Sequence, residues 1–460
     1  MSATEIAPAQ QCSFPTQSGP STDDPNDTNP AVGCVCTSDK RAGRGGSDVL
    51  VHSGSDAACS ESEADASRFS KAWEDDEHPP LDLDEGALRH VATYFLPGNH
   101  GRCVKIEKLG RGTFHEIRLL HFEDDWTCIG RFTRDPDEPV AVIESECATR
   151  SFVRKHTTIP VPETYFANYD PTNAVGAPFV LMEYIDGYRL QDMWRALDMR
   201  HKLPVMSQIA DVVAQLARCK FDKIGSLSRN GDVGPLLNIA LPYERLHHGP
   251  YECTQDYLLS FIDDDLAGTE ELMSHFRSIR QKLIHHMNSR STVAFLEQPF
   301  RLIHGDFDLQ NFMFDWKSPD EAPKLLGVID WDYSYIGPAY FLYEYPSFIL
   351  DSDYEMGLWT EHKVCRKNFV SMLAQHFPPG LQEREEVRSC FRQKSYLLNR
   401  FRNIFMVCNW EAGVALELAL EYSLALSPPE TTERAYGGRD DYEPDSELED
   451  ECTEGDVKPL

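Results

Sequence analysis

The spacing of hydrophobic residues between positions 103 and 182 predicts a small antiparallel sheet interrupted by one helix. Apolar and charged residues alternate along Cys103–Leu109, as they do in a strand with one buried face. Three further apolar runs are predicted to be strands: Glu116–Leu120, Trp126–Phe132 and Phe179–Met182. Helical spacing runs from Val140 to His156 and ends before a proline-rich segment, because proline cannot continue a helix.

The hydrophobic pattern becomes mainly helical after position 190. Amphipathic spacing predicts a helix over Pro204–Cys219. Further helices are expected over Asp256–Ile262, Glu270–Met287, Val364–His376 and Val387–Leu426. Within this part, Phe300–Tyr335 contains short strand-like apolar runs. A small sheet lobe followed by a larger helical lobe predicts a two-lobed α+β architecture with a cleft between the lobes.

Composition separates this patterned middle from the two ends of the chain. The chain has 460 residues and a net charge of −31, from 75 acidic and 44 basic residues. More than half of that excess lies in 1–80 and 428–460, where few apolar residues recur. Low hydrophobicity with high net charge favours disorder, so we predict acidic tails around an N-lobe over 81–187 and a C-lobe over 188–427. The C-terminal tail is either a solvated segment or a docking segment for a basic partner.

Charge and cysteine usage disfavour several functional classes. So acidic a chain repels nucleic acid, and its Lys and Arg residues are scattered rather than clustered. The sequence has no apolar run of about 18 residues, so we expect no membrane partner. An apolar signal region is also missing at the N-terminus, and the 13 Cys residues lack zinc-binding spacing. We therefore expect reduced thiols and a cytoplasmic or nuclear location.

The most informative motif is a short loop with polar residues at both ends, followed by an acid after a strand. His304–Asp306 is followed by Asn311, and the apolar run Leu326–Ile329 ends in Asp330. Phosphoryl transfer needs one carboxylate to orient the attacking hydroxyl, and oxygen ligands that hold Mg²⁺ against the phosphates. An isolated His-Gly-Asp is often only a turn, but the joint order favours phosphoryl transfer.

This order of residues resembles the aminoglycoside phosphotransferase and choline kinase family, whose members are relatives of the protein kinases. The resemblance covers about Val104 to Leu426 and extends to four shorter segments: Ile159–Pro162, Leu181–Gly187, Ile224–Leu227 and Trp331–Pro338. Among these, Leu181–Gly187 looks like the family's hinge between the lobes. The resemblance implies a protein-kinase-like fold, ATP and Mg²⁺ as cofactors, and a small molecule as acceptor.

The resemblance also implies a role for each residue of the motif. Asp306 would be the catalytic base, Asn311 and Asp330 the Mg²⁺ ligands, and His304 a structural residue that holds the loop. The residues expected to bind ATP are Gly110 and Gly112 in a flap over the phosphates, Arg131 with its partner Glu146 at the α- and β-phosphates, and Glu183 and Ile185 in the hinge. A plain hairpin turn explains the two glycines equally well.

One position departs from the family's usual pattern. The family places a basic residue on the third strand, where it holds the α- and β-phosphates and pairs with a Glu on the next helix. Here the strand residue is Arg131 rather than Lys, with Glu146 or Glu144 as its partner. Arginine is always charged and can bind phosphate through two nitrogen atoms. The alternative is an exposed arginine in a surface ion pair.

The expected acceptor is a small hydroxyl compound rather than a peptide. A protein kinase has a long activation segment, whereas here only Tyr333–Ile336 separates Asp332 from Gly337. Acceptor contacts are suggested at Tyr251–Asp256 and Trp410–Glu411, with core packing as the alternative. The predicted function is ATP- and Mg²⁺-dependent phosphoryl transfer to a small molecule. The alternative is a catalytically silent, kinase-like protein that binds a nucleotide or another ligand.

Overall fold

The computed structural model describes the middle of the chain. The described residues are 80–112, 114–135, 138–237, 248–260, 280, 281, 284, 296–318, 320–350 and 357–392. All of them belong to one unit, 61–460. The predicted tails lie outside these residues except for Pro80, as do Trp410–Glu411, most of Glu270–Met287 and the part of Val387–Leu426 after position 392.

A helix that the sequence did not predict precedes the sheet. Helix α1 spans Glu85–Phe95 and begins at Asp84, whose Oδ1 accepts the N–H of Ala87 at 2.9 Å. This bond satisfies one of the free N–H groups of the first turn. Leu88 and Ala92 are buried against the sheet, so packing rather than a long apolar stripe stabilises this helix.

The N-lobe is a five-stranded antiparallel sheet with one inserted helix. Its strands are β1 (Cys103–Arg111), β2 (His115–Phe122), β3 (Thr127–Thr133), β4 (Thr164–Asn168) and β5 (Phe179–Glu183), in the order β1-β2-β3-β5-β4. Helix α2 spans Val140–His156 and lies between β3 and β4 in the chain. The predicted antiparallel sheet with one inserted helix is therefore confirmed.

Strand β5 is covered on both faces, which explains its continuous apolar run. Phe179 and Leu181 share one hydrophobic cluster with α1. Val180 and Met182 share another cluster with Ile143 of α2. The alternation of side chains along the strand thus places a helix on each side of the sheet.

Within the described residues, the C-lobe contains more helices than the N-lobe, and its strands are short. Its helices are α3 (Leu190–Met193), α4 (Met199–Arg218), α5 (Thr254–Leu259), α6 (Ala339–Leu342), α7 (Trp359–Gln375) and α8 (Gln382–Arg392). Its strands are β6 (Tyr188–Arg189), β7 (Lys220–Phe221), β8 (Ser226–Leu227), β9 (Val233–Gly234), β10 (Phe300–Ile303), β11 (Phe312–Asp315), β12 (Lys324–Val328) and β13 (Tyr335–Gly337). The strands pair as β13-β10-β7, β12-β11-β6 and β8-β9.

The long helix α4 begins earlier than the sequence predicted. The apolar pattern placed its start at Pro204, but Asp198 caps the helix by accepting the N–H of His201 at 3.2 Å. Pro204 therefore lies in the second turn. The predicted apolar face is buried and α4 packs against α7. The small sheet lobe before a larger, more helical lobe confirms the predicted α+β class.

Candidate active site

The motif His304–Asp306 lies where a buried strand reaches the surface. β10 is the central strand of its sheet, and all four of its residues are buried. His304 is still buried, whereas Gly305 and Asp306 are exposed. A short 3₁₀ helix, Leu309–Asn311, then leads into β11. The strand thus fixes the position of the loop while Asp306 stays open to solvent.

His304 holds the loop through two hydrogen bonds. Its Nε2 donates to the carbonyl oxygen of Ile329 at 3.0 Å, and its Nδ1 accepts the N–H of Asp306 at 3.1 Å. Only the neutral ring can donate at one nitrogen and accept at the other. Burial lowers the pKa of His304 to about 4, which keeps the ring neutral near pH 7. This position agrees with the structural role expected for His304.

Gly305 allows two backbone segments to touch. A Cβ atom at this position would lie 2.7 Å from the carbonyl oxygen of Asp332 and 2.8 Å from that of Tyr333. Backbone atoms cannot move aside as a flexible side chain can. The loop after β10 therefore packs directly on the segment that follows Asp330.

Asn311 orients the carboxylate of Asp306. Its Nδ2 donates to the carbonyl oxygen of Asp306 and to its Oδ2, both at 2.8 Å. Gln310 also donates to this Oδ2, at 2.9 Å. Because the amide nitrogen of the buried Asn311 faces Asp306, its Oδ1 is the atom left for a cation.

Asp330 follows β12 in an unusual backbone conformation. Its φ angle is 60°, in the left-handed region that Asp adopts more readily than most residues. The preceding residue, Ile329, donates its N–H to the carbonyl oxygen of Asn311 at 2.9 Å, and Val328 donates to that of Pro160 at 2.8 Å. The two predicted metal ligands therefore lie on neighbouring, hydrogen-bonded segments.

Arg131 lies buried at the junction of the two lobes. Its Nη1 donates to Oε2 of Glu146 at 2.7 Å, so Glu146 is its partner on α2. Glu144 instead lies 3.7 Å from Arg229. Only 8% of Arg131 is exposed, so the alternative of an arginine in a surface ion pair is wrong.

Two residues that the sequence analysis missed also contact Arg131. Asp332 binds both terminal nitrogens, with Nη1 to Oδ1 at 3.2 Å and a shorter contact from Nη2 to Oδ2. His115 accepts from Nη2 at 3.0 Å. Burial alone would raise the pKa of Asp332, but Arg131 opposes it and the pKa is lowered to about 2. Burial lowers the pKa of His115 to about 3.

The sequence contained only a weak indication that His115 and Asp332 contact Arg131. In the register of β2 with β3, His115 pairs with Thr133 and Ile117 with Arg131. Alternation therefore places His115 and Arg131 on one face of the sheet. Asp332 stands two residues after Asp330, yet its partner is 201 positions away in the chain, so local spacing could not reveal the contact.

Gly110 and Gly112 lie at the end of β1 and in the turn to β2. The N–H of Gly112 donates to the carbonyl oxygen of His115 at 2.8 Å, and its own carbonyl oxygen accepts from Arg134 at 2.5 Å. A Cβ atom at Gly110 would meet nothing within 4 Å. These contacts are those of a hairpin turn, and the role of the pair over a nucleotide stays a prediction.

The predicted hinge residues connect the lobes. Glu183 donates its N–H to the carbonyl oxygen of Glu163 at 2.8 Å, and its Oε2 accepts the N–H of Glu163 at 3.1 Å. The side chain of Ile185 occupies the space beside Gly327, where a Cβ atom would lie 2.1 Å from Cδ1 of Ile185. The hinge therefore rests on β12, and its contacts with a nucleotide stay a prediction.

The segment suggested for acceptor contacts packs mainly within the C-lobe. Tyr251 forms a backbone bridge with Ile224, and its ring lies 6.0 Å from that of Tyr257. Thr254 is fully buried. These contacts match the packing alternative for Tyr251–Asp256.

Comparison with known proteins adds a family to this geometry. Residues 115–341 match the model of the phosphotransferase enzyme family. A subtelomeric hrmA-associated cluster protein of Aspergillus fumigatus is 30% identical over 132 residues, which are 28% of this chain and 26% of that protein. Altered inheritance of mitochondria protein 9, mitochondrial, of Meyerozyma guilliermondii is 28% identical over 144 residues, 30% of this chain and 24% of that protein. The chain thus spans about a quarter of the length of these relatives.

Solved structures are similar over a larger share of the chain. The ADP-bound aminoglycoside phosphotransferase APH(2'')-Ib has a TM-score of 0.44 and 14% identity, covering 74% of this chain and 97% of that one. Ethanolamine kinase of Plasmodium vivax has a TM-score of 0.40 and 13% identity, covering 71% of this chain and 82% of that one.

Within the described ranges, no helix has the length and apolar character needed to cross a membrane. The cytoplasmic location stays a prediction.

The family match includes the whole junction described above. It begins at His115, ends at Phe341 and so contains Arg131, Asp306 and Asp330. The element order and this match confirm the resemblance and the protein-kinase-like fold that it implied. Residues 115–341 of this chain belong to the phosphotransferase enzyme family.

Proposed function

We propose that this protein is an ATP- and Mg²⁺-dependent phosphotransferase that moves the γ-phosphate of ATP to a hydroxyl group of a small molecule. The observation that carries the proposal is the hydrogen-bonded arrangement of Asp306, Asn311 and the segment ending in Asp330. This arrangement places one exposed carboxylate next to two residues whose oxygen atoms can bind a metal ion. This is the combination that phosphoryl transfer requires.

The donor atoms fit a magnesium ion that arrives with a nucleotide. Asn311 offers its Oδ1 and Asp330 a carboxylate, both hard oxygen ligands. Among the described residues, no group of three or more His, Cys, Asp or Glu side chains could hold a metal ion by itself. Mg²⁺ usually takes one or two carboxylates, with phosphates and water completing its shell. Bound there, it would neutralise the charge of the phosphates.

Asp306 is the proposed catalytic base. It accepts the proton of the acceptor hydroxyl as that oxygen attacks the γ-phosphorus of ATP. The bond from this phosphorus to the bridging oxygen of the β-phosphate breaks, and ADP leaves. Gln310 and Asn311 fix the carboxylate through Oδ2, and His304 fixes the backbone N–H of the same residue. A carboxylate held in this way loses little freedom when the acceptor binds, which is the main contribution a protein makes to this reaction.

A second candidate function is a silent protein that binds a nucleotide or another ligand. The observation that favours it is the environment of Arg131. Its two terminal nitrogens donate to Glu146, Asp330 and Asp332, so this arginine does not offer its terminal N–H groups to phosphate. Binding of a ligand could persist in such a protein without turnover.

The test separates turnover from binding in one variant. Asp306→Ala should abolish phosphate transfer while leaving Mg-ATP binding within about threefold of the wild type, because Asp306 acts on the acceptor. Turnover is measured with a panel of sugars, amino alcohols and amino acids. Asp315→Asn, which changes a partly exposed carboxylate paired with Lys317, is the matched control and should keep wild-type activity. Mg-ATP binding without transfer to any panel member would instead favour the silent protein.

A further inference from the structure

Three carboxylates from the two lobes surround the guanidinium of Arg131. Glu146 of the N-lobe binds Nη1 at 2.7 Å. Asp332 of the C-lobe binds both Nη1 and Nη2, and Asp330 binds Nη2 at 3.1 Å. Arg131, Glu146 and Asp332 are all at most 9% exposed. Arg131, Glu146 and Asp332 therefore form a buried cross-link between the lobes rather than a surface ion pair, and the exposed Asp330 contacts it at Nη2.

The contacts engage both terminal nitrogens of the arginine. Nη1 donates to Glu146 and Asp332, while Nη2 faces Asp332, Asp330 and also Nδ1 of His115 at 3.0 Å. A phosphate oxygen could reach these nitrogens only by displacing a carboxylate. A lysine has one nitrogen on a flexible stem and could not hold the same partners in a fixed plane. The chemistry of this position thus fits an arginine that organises carboxylates.

The backbone brings Asp330 and Asp332 to the same nitrogen. Asp330 and Tyr333 have φ angles of 60° and 53°, so the chain turns sharply on both sides of Asp332. Gly305 packs against the carbonyl oxygen of Asp332 and prevents this turn from moving toward the loop. Two carboxylates this close repel each other unless a cation lies between them. Arg131 supplies that cation, and Asp332 fixes where it lies.

We propose that Asp332 is a positioning residue for Asp330 and acts through Arg131. Asp332 and Glu146 hold the guanidinium from opposite lobes, and the guanidinium holds Oδ1 of Asp330. This contact orients the carboxylate of Asp330 toward the Mg²⁺ ion that Asp330 and Asn311 are proposed to bind together. This inference rests on the proposed function, because it assumes that Asp330 is a Mg²⁺ ligand.

The experiment measures how binding of a fluorescent ATP analogue depends on Mg²⁺ concentration. Asp332→Asn and Arg131→Lys should each raise the Mg²⁺ concentration for half-maximal binding about tenfold, as loss of a partner of a metal ligand usually does. The double variant should need no more Mg²⁺ for half-maximal binding than the single variant that needs more of it, because both changes break the same unit. Glu144→Gln, on the same helix as Glu146 but paired with Arg229, is the control and should leave the midpoint unchanged.

The opposite pattern would overturn the inference. If Arg131 instead binds phosphate, Arg131→Lys keeps nucleotide binding, and Asp332→Asn tightens it because a competing carboxylate is gone. Unchanged Mg²⁺ midpoints in both variants would also overturn it. Thermal unfolding without ligand shows whether each variant is folded. The Arg131→Lys variant tests whether Asp330 is positioned through Arg131 while Asp332 stays unchanged. A wild-type protein that binds no nucleotide at any Mg²⁺ concentration contradicts the proposed function itself.

Discussion

At the scale of single residues, two positions of the site are restricted by the atoms around them. His304 can satisfy both of its bonds only as the neutral ring, since the N–H of Asp306 requires an acceptor at Nδ1. Gly305 can only be glycine, because two carbonyl oxygens occupy the space of a Cβ atom. Both residues act on Asp306 through the backbone. Their roles follow from contacts within a few ångströms of the proposed base.

His304 should contribute a pH-dependent part of the stability. Its pKa is about 4 in the folded protein and about 6.5 in an unfolded chain, so the unfolded state binds a proton first as the pH falls. The stability is therefore complete above about pH 6.5 and decreases by about 3 kcal/mol toward pH 4. Asn can supply a donor and an acceptor without titrating. Urea unfolding from pH 7 to 4 should show this loss in the wild type and a smaller one in His304→Asn; equal slopes would contradict it.

Gly305→Ala should disturb the contact between the loop and the segment after Asp330. The added methyl group forces backbone atoms apart, and such overpacking costs about 1–3 kcal/mol. Phosphate transfer should decrease as well, because Asp306 is the next residue. Gly357→Ala is the control, since a Cβ atom there meets nothing within 4 Å. Urea unfolding measures both variants, and a Gly305→Ala protein as stable as the wild type would refute the close contact.

At the scale of elements, a buried ion pair ties the strand before the proposed catalytic loop to helix α8. Arg301 of β10 donates through Nη2 to both carboxylate oxygens of Glu386, at 3.0 and 2.9 Å. Both residues are at most 1% exposed. Tyr343 adds a contact to Glu386 at 3.3 Å. The position of β10, and so of the loop, depends on this helix.

Removal of one charge from that pair should be costly. Glu386→Gln leaves the buried guanidinium of Arg301 without its counter-charge, and breaking such a pair costs about 3–5 kcal/mol. Glu385→Gln changes the exposed neighbour on α8 and should cost less than about 1 kcal/mol. Denaturant unfolding of both variants tests the difference. Similar losses in the two proteins would show that the buried pair does not tie β10 to α8.

At the scale of the whole molecule, the sequence predicted the elements and the motif that have a complete local pattern. It missed the elements without such a pattern and the contacts between residues far apart in the chain. Helix α2 was predicted at its observed bounds because its apolar spacing is complete within seventeen residues. Asp306 and Asn311 were found because a loop motif carries them five positions apart. Strand β4 was missed, since all five of its residues are only half-buried. The contact of Arg131 with Asp332 spans 201 positions, and no local pattern encodes it.

The measurement that tests the central claim most directly is the thermal unfolding of the full chain with and without Mg-ATP. A ligand that binds only the folded state raises the unfolding midpoint as its concentration rises. We expect Mg-ATP to raise the unfolding midpoint of the wild type. ATP with a chelator should raise it much less, because Asn311 and Asp330 are proposed to bind the nucleotide through the metal ion. Failure of Mg-ATP to shift the midpoint of the folded protein at any concentration up to several millimolar would contradict the account.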